Sequence, residues 1–287
     1  MLVVTGASGR LGRGIVEQLL AHADPARIGV SVRDPGKVAD FAQAGVRVRA
    51  GDFADPASLR HSFEGAEQIL LVSSNAAAHG GDPLAQHRNA IDAARAVGAR
   101  RIVYTSHMAA NGASAFPPMH SHAATEAMLA ASGLAWTALR NGFYAASGIQ
   151  FMGDAPRSGV LAALEDGPVA WTAHADLAEA AAIVLTGEDG LDGPTPPLTA
   201  GEALDMTGLA HLATEVVGRP IRREPLSEED LRARMNARGM PPQAAEIALG
   251  FYRAAHAGEF AAVNPTLERL LGRAPTTMRQ VMAEEMR

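Results

Sequence analysis

MLVVTGASGRLGRG, residues 1–14, decides how the rest of the chain is read. The apolar, β-branched run LVVTG (2–6) reads as a strand and gives way at once to GRGIVEQLLAHA, an amphipathic helical stretch. Between them Gly6, Gly9 and Gly12 form a G-x-x-G-x-x-G turn. Such a turn bends tightly, lets backbone approach a pyrophosphate, and points the first helical N–H groups at its charge. Its spacing differs by one residue from the more familiar G-x-G-x-x-G, and three glycines alone say little. The weight comes from their place at a strand–helix junction; a purely structural glycine turn is the competing reading. On the ligand-binding reading, Gly6, Ser8, Gly9, Arg10, Leu11 and Gly12 hold a dinucleotide.

The rhythm of that opening continues. IGVSVR (28–33), VRVRAGD (46–52), QILLVSS (68–74), RIVYTS (101–106) and AWTALR (135–140) are further strand candidates. Amphipathic stretches such as DPASLRHSFEG and DPLAQHRNAIDAARAVG separate them. Alternation of this kind implies βαβ units with right-handed crossovers. Beyond about residue 150 the strands fade and helices dominate: DLAEAAAIVLTG (176–187), DMTGLAHLATEVVG (205–218) and SEEDLRARMNARG (227–239). The stretch GPTPPL (193–198) reads as a proline-rich turn. The expected architecture is α/β, a Rossmann-type doubly wound parallel sheet in 1–150. A smaller, mostly helical cap region would fill 151–287, without a clean linker.

Composition removes several function classes. With 47% apolar and 20% charged residues the 287-residue chain has an ordinary soluble make-up. A formal charge of −6, unrelieved by any basic run, argues against nucleic acid as a partner. The absence of cysteine excludes disulfides, thiolate catalysis and cysteine-ligated metals. No signal-like or membrane-spanning segment opens the chain, so a cytoplasmic location and no membrane partner are expected. The only lysine is Lys37.

The second strand candidate ends in Ser31-Val32-Arg33-Asp34. A carboxylate there bonds both ribose hydroxyls of NAD, whereas an arginine pairs with the 2′-phosphate of NADP. Arg33, with Arg10 and possible help from Lys37, points to NADPH as the preferred carrier. The alternative leaves Arg33 in solvent and gives the ribose to Asp34, which would admit NADH. Asp52 and Phe53, closing the third strand, are placed to touch the adenine, and Ser73, after the fourth, the cofactor backbone.

Taken in order, TGASGRLG, SVRDPGK, AGDFADPASL, LLVSSN, RIVYTS and LRNGFY resemble the NmrA-like branch of the atypical short-chain dehydrogenase/reductases. Within it the pattern is most similar to the NAD(P)H:quinone oxidoreductase type 2 and triphenylmethane reductase groups. The resemblance implies a reductase that needs no metal for hydride transfer, and a homodimer. It also exposes an absence. Most short-chain dehydrogenases use a Tyr-x-x-x-Lys pair, and with Lys37 alone that pair cannot exist.

The window where the pair would fall reads HSHAATEAML (120–129). Three readings stay open. His122 and Glu126, at i and i+4, share a helix face and could join His120 on a metal. Or this is a plain helix start with Glu126 in solvent. Or His122 lines a pocket beside a nicotinamide, with Glu126 holding its ring or contacting the cofactor, as the H-x-x-T-E pattern of the resembled reductases implies. On the last reading His122, Glu126 and Tyr144 are the catalytic set, and no metal is bound. Asn141, Phe143, Tyr144 and His107 are expected substrate contacts, with Tyr104 or Ser106 beside them, although Tyr104 sits in an apolar strand that suits the core.

Reducing a ketone leaves an alkoxide that demands a proton donor. A quinone or a triphenylmethane cation makes no such demand, and a neutral or protonated imidazole near pH 6–7 can assist without being essential. The sequence therefore points to an NADPH-dependent reductase passing hydride to a small conjugated acceptor, without flavin or metal. The alternative is a non-catalytic NAD(P)-binding redox sensor of the NmrA type.

Overall fold

The computed structural model describes residues 1–187 and 191–286. The chain builds two units, Met1–His107 with Ser121–Arg140 and His174–Pro196, and Met108–His120 with Asn141–Ala173 and Pro197–Arg287. It therefore passes between units several times instead of changing once near residue 150.

The path opens with β1 (Leu2–Thr5), α1 (Arg10–His22), β2 (Ile28–Val32), α2 (Ala39–Gln43), β3 (Arg47–Ala50) and α3 (Pro56–Phe63). Then come β4 (Gln68–Leu71), α4 (Pro83–Ala96), β5 (Arg101–His107), α5 (Pro118–Ala130) and β6 (Ala135–Asn141). In the second unit follow β7 (Phe143–Tyr144), α6 (Ala145–Met152), α7 (Ala155–Ser158), β8 (Val160–Ala163) and β9 (Trp171–Thr172). α8 (His174–Thr186) and β10 (Gly193–Pro194) return to the first unit. The second unit finishes with α9 (Met206–Val217), β11 (Arg222–Pro225), α10 (Glu228–Ala237), α11 (Pro242–His256), α12 (Thr266–Leu271) and α13 (Met278–Glu285).

The main sheet has seven strands in the order β10-β6-β5-β4-β1-β2-β3. Leu2 pairs with Ile28 on one side and with Gln68 on the other, both in parallel. All five residues of β2 are buried, as expected of an interior parallel strand covered on both faces. The order reverses between β1 and β4, the switch point where doubly wound sheets bind ligands. On one face α1 lies against α8, where a Cβ added to Gly14 would come 3.2 Å from Ala178 Cβ. Small residues bring the two helices that close.

GPTPPL is more than a turn. Its first two residues are β10, paired in parallel with Thr137 and Ala138 of β6. Pro194 is tolerated because the strand is at the edge and has no further neighbour to serve.

The second unit holds two small parallel sheets, β8 with β11 and β7 with β9. Its core is aromatic. Phe143 packs at 5.0 Å between ring centroids from Phe251 and 5.1 Å from Phe260, with Phe116 and Trp171 beside them. The expectation that Phe143 touches substrate is not met: its ring is committed to this buried cluster.

Candidate active site

The glycine turn is locked by its own backbone. Gly6 takes φ +64°, and its carbonyl accepts from Gly9 N–H at 2.9 Å. A Cβ on Gly12 would stand 2.4 Å from that same oxygen, so no other residue fits there. Thr5 anchors the turn to the sheet by accepting Val72 N–H on its hydroxyl at 2.9 Å.

Gly9 is different. Its backbone is ordinary extended chain at φ −92° and ψ 163°, and an added Cβ would meet nothing closer than 3.4 Å. The fold does not require glycine at this position; a ligand pressed against the backbone would. Gly9 caps α1 without any side-chain hydrogen bond, and the first turn carries no acidic residue, which leaves a favourable end for an anion. Ser8 and Arg10 are exposed, whereas Leu11 points into the core and can offer only its backbone. The residues fit a dinucleotide pyrophosphate.

Beyond β2 the two candidates for the ribose separate. The Asp34 carboxylate caps the short turn that follows, accepting Gly36 N–H at 3.0 Å. Arg33 is exposed and has no ion pair or hydrogen bond among the described residues. The nearby Arg13 is occupied by Asp40 at 2.7 Å. Asp52 shapes its own turn through Ala54 N–H, and Phe53 lies partly buried with its carbonyl held by Asn89. Ser73 N–H rests on the Thr105 hydroxyl at 2.8 Å.

Beside β5 lies a buried cluster of imidazoles that the sequence showed only in part. Tyr104 packs fully buried in the core, as its apolar strand implied, and its hydroxyl stands 2.9 Å from His122 Nδ1. The His107 and His122 rings stand 6.0 Å apart, and His87 meets the Tyr104 edge at 5.4 Å. Burial lowers His122 to about pKa 4. Burial, and then the His122 charge, takes His87 to about 3 and His107 well below its ordinary value. All three are neutral at pH 7, which selects the neutral form from the two expected, neutral or protonated.

His87 was absent from the sequence reading, yet its tautomer follows from its neighbours. Its Nε2 accepts Ser74 N–H at 2.8 Å, while Thr125, 2.8 Å from Nδ1, spends its own proton on the Ser121 carbonyl. The ring proton must therefore sit on Nδ1. A buried neutral histidine thus fixes the loop that follows β4. Only the apolar helical spacing around it could have hinted at this.

Glu126 also needs correction. It neither holds the His122 ring nor lies in solvent. Its carboxylate receives Arg140 through Nε at 3.1 Å and Nη2 at 2.7 Å, and Ser106 Oγ at 2.6 Å. This buried fork ties α5 to β6 and β5. His120 Nε2 lies 2.8 Å from the Ser114 carbonyl, and the described residues contain no group of three or more potential metal ligands.

In the second unit, Asn141 and Tyr144 join by a side-chain hydrogen bond, and burial raises the Tyr144 phenol pKa. Asn141 Oδ1 is buried and has no hydrogen-bond partner among the described residues.

Sheet order, glycine turn and unblocked helix start define a dinucleotide-binding α/β protein. Comparison with known proteins carries the assignment further. The chain matches the NAD(P)H-binding family over residues 6–186. It is 35% identical over 279 residues to quinone oxidoreductase 2 of Escherichia coli (strain K12), covering 97% of this chain and 96% of the other. The crystal structure of the Escherichia coli NADPH-dependent quinone oxidoreductase QOR2 complexed with NADPH is similar at TM-score 0.93 and 34% identity, covering 100% of both chains. Triphenylmethane reductase of Citrobacter sp., complexed with NADP(H), is similar at TM-score 0.89 and 30% identity over 99% of each chain. The chain belongs to the NAD(P)H-binding, NmrA-like family of oxidoreductases and is an NAD(P)H-dependent reductase.

Proposed function

We propose that the protein prefers NADPH and passes hydride directly to a quinone or similarly conjugated small acceptor. The observation that carries this reading is the neutral His122 paired with Tyr104 in a chain that has no Tyr-x-x-x-Lys pair. When bound, the reduced nicotinamide supplies the hydride. The glycine turn holds the pyrophosphate through backbone N–H groups, and Arg33 pairs with the 2′-phosphate because Asp34 is already engaged.

With its pKa near 4, His122 has no imidazolium proton to give at pH 7 and acts as a hydrogen-bonding partner for the acceptor. Tyr104 sets the orientation of its ring. An acceptor whose reduced anion is delocalised needs no stronger acid. Names borne by the relatives, a quinone reductase and a triphenylmethane reductase, support this class of acceptor.

Loss of 340 nm absorbance on mixing NADPH with a panel of quinones tests the reading. Turnover is expected, and NADPH binding without oxidation by any member would overturn it in favour of a redox sensor. His122→Asn should lower kcat about tenfold, the worth of one transition-state hydrogen bond, with NADPH affinity unchanged. Wild-type kcat in that variant would remove His122 from the chemistry.

A further inference from the structure

The second unit contains a solvent-open cavity of about 440 Å³, a size that suits one aromatic small molecule. Residues of α6, β8, β11, α10 and α11 wall it, and the inner surface is apolar: Phe151, Met152, Leu161, Leu231, Met235 and Met240. Thioethers adapt to flat bodies and contact ring edges favourably.

Two further features ask for a ligand. Tyr252 lines the cavity and is 5% exposed, yet its hydroxyl has no hydrogen-bond partner among the described residues. Burial, aided by the Asp166 charge, pushes this phenol up to about 12, so it keeps its proton at any physiological pH. Arg234 in the last turn of α10 and Arg238, the residue that caps its C-terminus, also line the cavity, both exposed and without side-chain partners among the described residues.

The neighbouring guanidiniums are otherwise engaged. Glu228 and Glu246 hold Arg232 and Arg253, and Asp154 holds Arg157. The lining also holds two carboxylates: Asp154, paired with Arg157, and Glu224, which has no ion pair among the described residues, so its formal charges balance and the positive charge is local to Arg234 and Arg238. An apolar slot, the Tyr252 hydroxyl without a hydrogen-bond partner among the described residues and two arginines outside any ion pair define a complementary molecule.

We propose that this cavity binds an amphipathic aromatic anion. Its flat body lies against the methionines, its carboxylate or sulfonate sits between Arg234 and Arg238, and an acceptor atom takes the Tyr252 proton. The site draws on the second unit alone, and binding needs neither cofactor nor turnover, so the proposal and the reductase reading fail independently.

Isothermal titration of the cofactor-free protein with anthraquinone-2-sulfonate, against uncharged 2-(hydroxymethyl)anthraquinone, tests it. The sulfonate should bind one to one and more tightly than the control. Arg234→Ala with Arg238→Ala should weaken the sulfonate at least about tenfold, the loss of a charge-assisted pair, and leave the control unchanged. Tyr252→Phe should weaken both about threefold, and Leu231→Trp, filling the slot, should abolish both at unchanged circular dichroism. No sulfonate binding to the wild type at millimolar concentration, or equal binding in the arginine and Leu231→Trp variants, would overturn the proposal.

Discussion

The glycine turn after β1 and the imidazole cluster beside β5 belong to the same unit but are made of opposite materials. The turn is backbone: three glycines, one threonine anchor and a helix start with no acidic residue near it. The cluster is side chain: His87, Tyr104, His107 and His122, with the imidazoles held neutral by burial. A site of backbone is sensitive to a single added carbon and indifferent to pH. A site of buried imidazoles tolerates the loss of one group and is sensitive to protons.

The largest effects fall on the turn, and they split it. Gly12→Ala drives a methyl to 2.4 Å from the Gly6 carbonyl, and the turn cannot close around it. A loss of about 3 kcal/mol of stability or more is expected, with poor soluble yield, read by thermal melting. Gly9→Ala meets only ordinary contacts within the protein. Its melting temperature should hold within about 1 °C while NADPH affinity falls at least about tenfold, because the methyl occupies the space of the pyrophosphate. Equal loss of stability in the two variants would erase the distinction between a glycine required by the fold and one required by a ligand.

Next in size is Arg33→Ala. The guanidinium is exposed and unengaged, so its removal should leave melting unaltered. The KM for NADPH should rise about tenfold and that for NADH should not move, consistent with loss of one charge-assisted phosphate contact. A parallel rise for both carriers would place the 2′-phosphate elsewhere.

The same contrast explains what could be read from the chain alone. The turn is local: Thr5 to Gly12 is a contiguous run whose glycine spacing and flanking periods carry the geometry, and the parallel βαβ sheet followed from the alternation of strand and helix candidates after it. The imidazole cluster is assembled from α4, β5 and α5, and nothing in the isolated letters says that His87 meets Thr125 or that Glu126 meets Arg140. The i, i+4 spacing of His122 and Glu126 correctly put them on one face but not on one another. β10 was hidden because a Gly-Pro dipeptide signals a turn before it signals an edge strand. Phe143 was taken for a substrate contact because the cluster that buries it draws on Phe116, Trp171, Phe251 and Phe260, residues remote in sequence.

The smallest expected effect is also the one that most directly separates imidazole cluster from turn. His87 and His122 have folded pKa values of about 3 and about 4, and His107 lies well below the usual 6.5. The unfolded chain therefore takes up protons, from pH 6.5 downward, that the folded chain refuses. Stability is complete above pH 6.5 and falls through the window between 6.5 and about 4, the sign expected for depressed folded values. The melting temperature should therefore be lower at pH 5.5 than at pH 7.5 by several degrees. His87→Asn keeps an acceptor for Ser74 N–H but cannot be protonated, so it should remove part of this decline. The Gly9→Ala protein, whose change lies in the turn, should retain the full decline. A slope untouched in His87→Asn would mean that the cluster admits the proton, and with it water, and that its imidazoles are not the dry, neutral group on which the role of His122 depends.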